Sequence, residues 1–359
     1  MNLLDQLRII SIHKDKLLVG PKSIYIDINT ECNLNCNFCW IHSPLNKKPL
    51  YKKPLLLSFE DIKKIIDKAY EWRCEELIIS GDGEPTLHPE FKEIVRYITK
   101  KNFRVFLTTN ATFNKELLNS ILNIDYLYIT FSAPQKDLYF KIQSPKNPYM
   151  YEKVLRNIKI LSKFKEKYKR PYLNIAFIIN KTNYRTIPDM LKLGEKLKID
   201  KITFRIMEAT PYTKKLSLSK QEKQELIKII TKASKYKTNL IHNLKEIKEG
   251  ILKYNKSPFK LKSCFTGWFN LFIDFNKNVG LCCHNEKLIV GNLKKKSLEE
   301  IWKSKLAHKK RLMCKYEFNL KKEPFKGECQ WCHWYRENRE IMEKLQNLQN
   351  DRRIKRNNF

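Results

Sequence analysis

Between Ser23 and about Glu208, short runs rich in β-branched and aromatic residues alternate with segments of helical hydrophobic spacing. The strand-like runs are 23–28, 76–80, 103–108, 126–132, 172–179 and 201–206. After the first of them, Ile62, Ile65, Ile66, Ala69 and Tyr70 recur at three- and four-residue spacing behind Ser58-Phe59-Glu60-Asp61, which has the shape of a capping box. Further helices are predicted near 90–101, 114–122, 149–167 and 183–197. Strands alternating with helices predict an α/β fold with parallel pairing and right-handed crossovers, the chemistry lying at the carboxyl ends of the strands. Six such units suit an open doubly wound sheet or a partial barrel equally well.

The pattern changes after Glu208. Ser219-Lys220-Gln221-Glu222 reads as a second capping box, with Leu226, Ile229, Ile230 and Ala233 following at helical spacing. Residues 235–260 are charged and weakly patterned, as a bridge to a second module would be. A β-hairpin is then predicted from 269–274 to 278–281 across the polar turn Phe275-Asn276-Lys277. Ser297-Leu298-Glu299-Glu300 opens another helix, with Ile301 and Trp302 inward.

Hydrophobic residues make up 42% of the 359, enough to bury a core and to exclude wholesale disorder. No apolar stretch reaches bilayer-spanning length, and Met1 to Ile10 has an early acid and no signal-peptide architecture, so a cytoplasmic location is expected. Lys and Arg number 71 against 38 acids, a formal charge of +33 that raises the question of a nucleic-acid or acidic partner. The lysines are spread along the whole chain, so nucleic-acid binding is not expected. The one local basic run near an end is Arg352-Arg353-Ile354-Lys355-Arg356.

Seven of the ten cysteines fall into two groups. Cys32, Cys36 and Cys39 follow the first strand in a Cys-x3-Cys-x2-Cys loop. Structural zinc favours paired Cys-x2-Cys units and four ligands, and ferredoxin-type clusters use a denser run with a fourth cysteine. Three thiolates on a four-iron cubane leave one iron open, and an open position marks a reactive site rather than a closed one. The loop, with Phe38 before its third cysteine, resembles the signature of the radical S-adenosylmethionine (radical SAM) enzymes. That resemblance implies a partial (β/α)6 barrel and a 4Fe–4S cluster whose open iron chelates S-adenosylmethionine (AdoMet). It further implies reductive cleavage of AdoMet to a 5′-deoxyadenosyl radical that abstracts a substrate hydrogen. After the second strand, Ser80-Gly81-Asp82-Gly83-Glu84-Pro85 resembles the family's Gly-Gly-Glu-Pro motif, with Asp82 where the family has its first glycine. The resemblance implies that Gly81, Asp82, Gly83, Glu84 and Pro85 cradle the methionine amino group. It also implies that Asn110, Ser132 and Arg205 contact ribose or carboxylate, with Phe38 near adenine. Ordinary turn or cap roles for Asn110 and Ser132, and an ion pair with Glu208 for Arg205, remain open.

The second group is Cys264 and Cys282 flanking the predicted hairpin, then Cys329-Gln330-Trp331-Cys332. Spacing alone permits a zinc ribbon. Residues 260–335, with Gly291-Asn292-Leu293 and the 298–302 helix, resemble the twitch form of the SPASM auxiliary module. This implies a second 4Fe–4S cluster with four cysteine ligands, Cys264, Cys282, Cys329 and Cys332; with no open iron it suits an electron relay, and a structural role remains open. Cys283 rivals Cys282, since neighbours on a strand point opposite ways. Cys74 and Cys314 are left as incidental thiols.

The expected organisation is a radical SAM core (1–215), a helical bridge (216–260), a SPASM/twitch module (261–340) and a basic tail (341–359). The expected activity is radical oxidation or rearrangement of a small polyol or sugar-like substrate, with flavodoxin or ferredoxin as electron donor. About twenty residues precede the first strand, short for a peptide-leader-binding domain. Maturation of a ribosomal peptide is the alternative, and a non-catalytic zinc- and RNA-binding protein, with His42 as a fourth ligand, the remote one. Tyr212, Glu208 and His284 are acid–base candidates by location alone.

Overall fold

In the computed structural model, the described residues are 2–47, 50–236, 238–252, 262–326, 329, 332, 334 and 337–347. The chain opens with α1 (Leu3–His13) and β1 (Ser23–Asp27), then α2 (Phe59–Glu71), β2 (Glu76–Ser80), α3 (Phe91–Thr99) and β3 (Arg104–Thr109). Next come α4 (Leu118–Leu122), β4 (Tyr126–Thr130), α5 (Lys136–Gln143), α6 (Met150–Tyr168), β5 (Tyr172–Ile179), α7 (Ile187–Lys196) and β6 (Lys201–Ile206). They are followed by α8 (Lys220–Ala233), β7 (Ile241–His242) and α9 (Leu244–Leu252). The last elements are α10 (Thr266–Phe269), β8 (Asn270–Ile273), β9 (Asn278–Gly280), β10 (Ile289–Asn292), α11 (Leu298–Lys303), α12 (Lys305–Tyr316) and α13 (337–347). Strands β2, β5 and β6 have the predicted bounds. Helices α1, α5, α10 and α12 and the two-residue β7 have no counterpart among the elements the hydrophobic pattern predicts.

The chain divides into two compact units, one drawn from residues 28–59 and 78–258, the other from 1–27, 60–77 and 259–359. In the first, β3, β4, β5, β6 and β7 lie side by side with every pair parallel. The β5–β6 register runs from Asn174↔Lys201 to Ile179↔Ile206. Strand β5 is buried on both faces, as a central parallel strand covered by helices must be. Its buried polar side chain, Asn174, is satisfied by the Tyr126 hydroxyl at 2.6 Å and by Thr203 Oγ1 at 3.1 Å. Helix α3 turns Phe91, Ile94, Val95 and Ile98 inward at helical spacing.

In the second unit the strand order is β10-β9-β8-β1, with β8 parallel to β1 and antiparallel to β9. The predicted hairpin is therefore β8–β9. Its turn is held by Asp274, whose carboxylate accepts from Asn278 N at 2.8 Å, and by Lys277 in the left-handed region at φ 68°. An apolar cluster of Ile9, Ile12, Phe265, Trp268 and Ile341 joins α1, α10 and α13. The capping boxes at Ser219 and Ser297 are both formed.

Candidate metal and cofactor centres

The loop after β1 is held by backbone contacts with the loop after β2. Gly83 N donates to Asn29 O at 3.2 Å and Glu84 N to Glu31 O at 2.7 Å. A β-carbon on Gly83 would stand 1.9 Å from the Glu31 carbonyl oxygen, so only glycine allows this approach. One on Gly81 would lie 2.7 Å from Asn29 O. Asp82, between the two glycines, has its carbonyl against His42 Nε2 at 3.0 Å and its carboxylate against the Tyr51 hydroxyl.

Cys32, Cys36 and Cys39 are each half-buried on this loop. Cys39 Sγ accepts from the backbone N–H groups of His42 at 3.2 Å and Ile41 at 3.4 Å. Burial pushes the Cys32 thiol up to about 12. Cys36 is raised by burial and then by its neighbours Cys39 and Cys32, and Cys39 by burial and by Asp82. The three thiols are thus costly to ionise until a cation stands among them, and that donor set fits a cluster held by thiolates. The Tyr139 hydroxyl, buried within electrostatic reach of Cys36 and Cys32, has no hydrogen-bond partner among the described residues. A buried hydroxyl so placed matches a site completed by a bound group.

Glu84 is 2% exposed. Its Oε1 accepts from Thr109 Oγ1 at 2.6 Å, Thr86 Oγ1 at 2.7 Å and Thr86 N at 3.2 Å, and its Oε2 from Asn110 N at 2.7 Å. Burial raises its pKa although these donors favour the carboxylate. The side chain therefore ties the β2 loop to the end of β3. Pro85 begins the short 3-10 turn Pro85–Leu87 behind it. Asn110 Nδ2 donates to Asn33 Oδ1 at 3.0 Å and lies 4.0 Å from Cys32 Sγ, and Thr112 Oγ1 donates to Asn110 Oδ1 at 2.6 Å. Asn110 thus stands beside the first cysteine.

Ser132 is fully buried, its Oγ accepting from Ile178 N at 3.0 Å and its N–H donating to Gln143 Oε1 at 3.0 Å. Gln143 Nε2 also donates to Thr130 O at 3.2 Å, and its side chain stands near enough to Cys36 to favour the thiolate, so it lies between the end of β4 and the cysteine loop. No motif in the sequence singled out Gln143, Tyr139 or Asn33. Arg205 lies 3.8 Å from Glu208 in a half-exposed ion pair, Tyr212 is exposed, and Phe38 is half-buried.

The second cysteine group lies in the other unit. Cys264, Cys282 and Cys329 are within electrostatic reach of Cys332, and all three are within reach of Cys314 as well. Cys282 accepts from His284 N at 3.4 Å, and its pKa is raised by the neighbouring Cys283 thiol and then by burial. It is Cys282 that the thiols of Cys264, Cys314 and Cys332 sense. Cys264 N donates to Cys314 O at 2.8 Å, so Cys314, set aside in the sequence reading, borders the group. Asn285, buried, donates from Nδ2 to Cys329 Sγ at 3.6 Å and to Pro324 O at 2.9 Å. Gathered thiols whose ionisation waits on a cation again fit a cluster. Among the described residues no three His, Cys, Asp or Glu side chains converge as one metal ion would require.

Comparison with known proteins agrees with this geometry. Residues 26–193 match the model of the radical SAM superfamily, and residues 264–333 that of the SPASM iron–sulfur cluster-binding domain. The chain is 25% identical over 190 residues to a tungsten-containing aldehyde ferredoxin oxidoreductase cofactor-modifying protein of Pyrococcus furiosus, covering 50% of this chain and 49% of that one. It is 30% identical over 148 residues to GTP 3′,8-cyclase of Aquifex aeolicus, covering 40% and 45%. The alignments thus span about half the length of these curated relatives. Streptococcus suis SuiB bound to S-adenosylmethionine superposes with a TM-score of 0.63 at 18% identity over 84% of this chain and 70% of that one. SuiB with its precursor peptide SuiA gives 0.61 at 16%, over 85% and 69%. At such identities the likeness speaks to the fold alone.

Proposed function

The chain belongs to the radical SAM superfamily and carries a C-terminal SPASM iron–sulfur module, and from that premise we propose that it oxidises an aliphatic position of its substrate by AdoMet-dependent hydrogen abstraction. The observation that carries this reading is the pair of separate thiol groups, three cysteines on the β1 loop and a larger set around β8 and β9. When bound, the first cluster supplies an open iron for AdoMet and the electron for its reductive cleavage.

This chain's residues do the rest. Cys32, Cys36 and Cys39 would hold three irons of that cluster. Glu84, through its four protein donors, fixes the glycine loop against them. Asn29 Oδ1, buried beside Gly81 with no hydrogen-bond partner among the described residues, is an acceptor for a ligand's ammonium group. Asn110 donates toward the Cys32 sulfur, and Ser132 and Gln143 keep the end of β4 closed over Cys36. Cys264, Cys282, Cys329 and Cys332 would hold the auxiliary cluster, and four thiolates would leave it no open iron, which suits electron acceptance rather than substrate ligation. The substrate class in this reading is a small polyol or sugar-like molecule, and the electron donor a flavodoxin or ferredoxin.

A second reading, maturation of a peptide, is favoured by the fold-level likeness to SuiB, whose bound partner is a precursor peptide. Anaerobic reconstitution tests the shared chemistry. Two cubanes predict roughly eight irons per chain and 5′-deoxyadenosine release that depends on reductant. Bound zinc without iron overturns both readings. Turnover with sugar-like substrates against candidate precursor peptides, followed by mass spectrometry, separates them.

A further inference from the structure

A buried hydrogen-bond chain ends on Cys264. The Thr266 hydroxyl oxygen lies 3.4 Å from Cys264 Sγ, and Asn338 Nδ2 lies 3.3 Å from Thr266 Oγ1 and 3.9 Å from the sulfur itself. Thr266 is 4% exposed and Asn338 1%. The amide's orientation is settled by its other contacts: Oδ1 accepts from Phe265 N at 2.6 Å, and Nδ2 donates to Trp334 O at 2.9 Å. One Nδ2 hydrogen is thereby committed to Trp334, and the other faces Thr266 and Cys264. With its oxygen accepting from Asn338, the Thr266 hydroxyl has its own proton to give. A ligating Cys264 is a thiolate and can only accept.

We propose that Thr266 and Asn338 are positioning residues that raise the reduction potential of the auxiliary cluster by donating, in series, to the Cys264 sulfur. The inference rests on the reading of Cys264 as a ligand of that cluster. Reduction adds negative charge to the cluster and its thiolates, and donors aimed at a ligand sulfur stabilise the more negative state. Burial strengthens the effect, since a low local dielectric lets the two hydrogen bonds polarise one another. Asn338 lies in α13, beyond the residues matched to the SPASM domain, which end at 333. A higher potential makes the auxiliary cluster the better acceptor for an electron left on the substrate.

The test is an EPR-monitored redox titration of the reconstituted holoenzyme, the first cluster being distinguished by its response to AdoMet. Thr266→Val keeps the shape and removes the hydroxyl. It is expected to lower the reduced-to-oxidised ratio of the auxiliary cluster about tenfold at fixed potential, which is about 59 mV for a one-electron couple. Thr266→Ser keeps the donor and is expected to restore the ratio to within twofold of wild type. Asn338→Asp, which still accepts from Phe265 N but has lost its donors, shifts the ratio in the same direction. The first cluster's potential stays unchanged throughout. Wild-type potentials in both Thr266→Val and Asn338→Asp at full iron content overturn the proposal. If Thr266→Val loses iron, Thr266→Ala read against Thr266→Ser decides, since the negative charge of Asn338→Asp lowers the potential by itself. A wild-type protein holding only the first cluster instead overturns the reading of the auxiliary site, and this inference with it.

Discussion

Gly83 is the residue on which the first site turns. Its missing side chain lets the β2 loop pass against Glu31, and a methyl group there meets backbone that cannot yield. Gly83→Ala is expected to destabilise by about 3 kcal/mol and to lower iron retention at the first site, as read by denaturant unfolding and iron analysis. Asp82 meets no such limit, because its carboxylate turns away to Tyr51. A similar choice between neighbours arises at Cys282 and Cys283. Cys282 lies within electrostatic reach of Cys264, Cys314 and Cys332; with Cys282 as the ligand, Cys282→Ala is expected to remove roughly half of the iron and Cys283→Ala to leave it at wild-type content.

The elements show where sequence patterning reads well. Long runs with one clear period, such as β5 and α6, were predicted within a residue or two. Helix α5 was not: its eight residues give only two turns, too short for a periodic signal to stand out. Gln143 sits at its end and owes its place beside Cys36 to that helix. The turn between β2 and α3 carries a pH signature. His88 gives Nε2–H to Leu57 O at 2.7 Å and accepts at Nδ1 from Glu90 N at 3.1 Å, so only the neutral ring satisfies both. Burial lowers its pKa from the ordinary 6.5. A depressed base contributes stability that is present above its unfolded pKa and is lost as pH falls toward the folded value. As pH falls from about 7.5 to about 5.5 the wild type is therefore expected to lose stability relative to His88→Gln, measured by urea unfolding at each pH.

For the whole molecule, the two cysteine groups fall in different compact units. Loss of one cluster is therefore expected to spare the other. The Cys32→Ala, Cys36→Ala, Cys39→Ala triple variant should keep roughly four irons and release no 5′-deoxyadenosine. The Cys264→Ala, Cys282→Ala variant should also keep about four, still cleaving AdoMet while substrate oxidation stalls. Iron analysis and product quantification check both.

The sequence by itself determined the βα alternation, the hairpin and the two thiol groups. Each of these is written in residues close together, where period, turn chemistry and ligand spacing act over a few positions. Tertiary structure alone decided which side chains meet. Glu84 finds Thr109 and Asn110 about twenty-five residues on, Gln143 returns to Cys36, and Asn338 reaches Thr266 across 72 residues. One compact unit is itself assembled from three separated stretches of chain. Such pairings depend on the path by which the backbone returns, and no local pattern encodes that path.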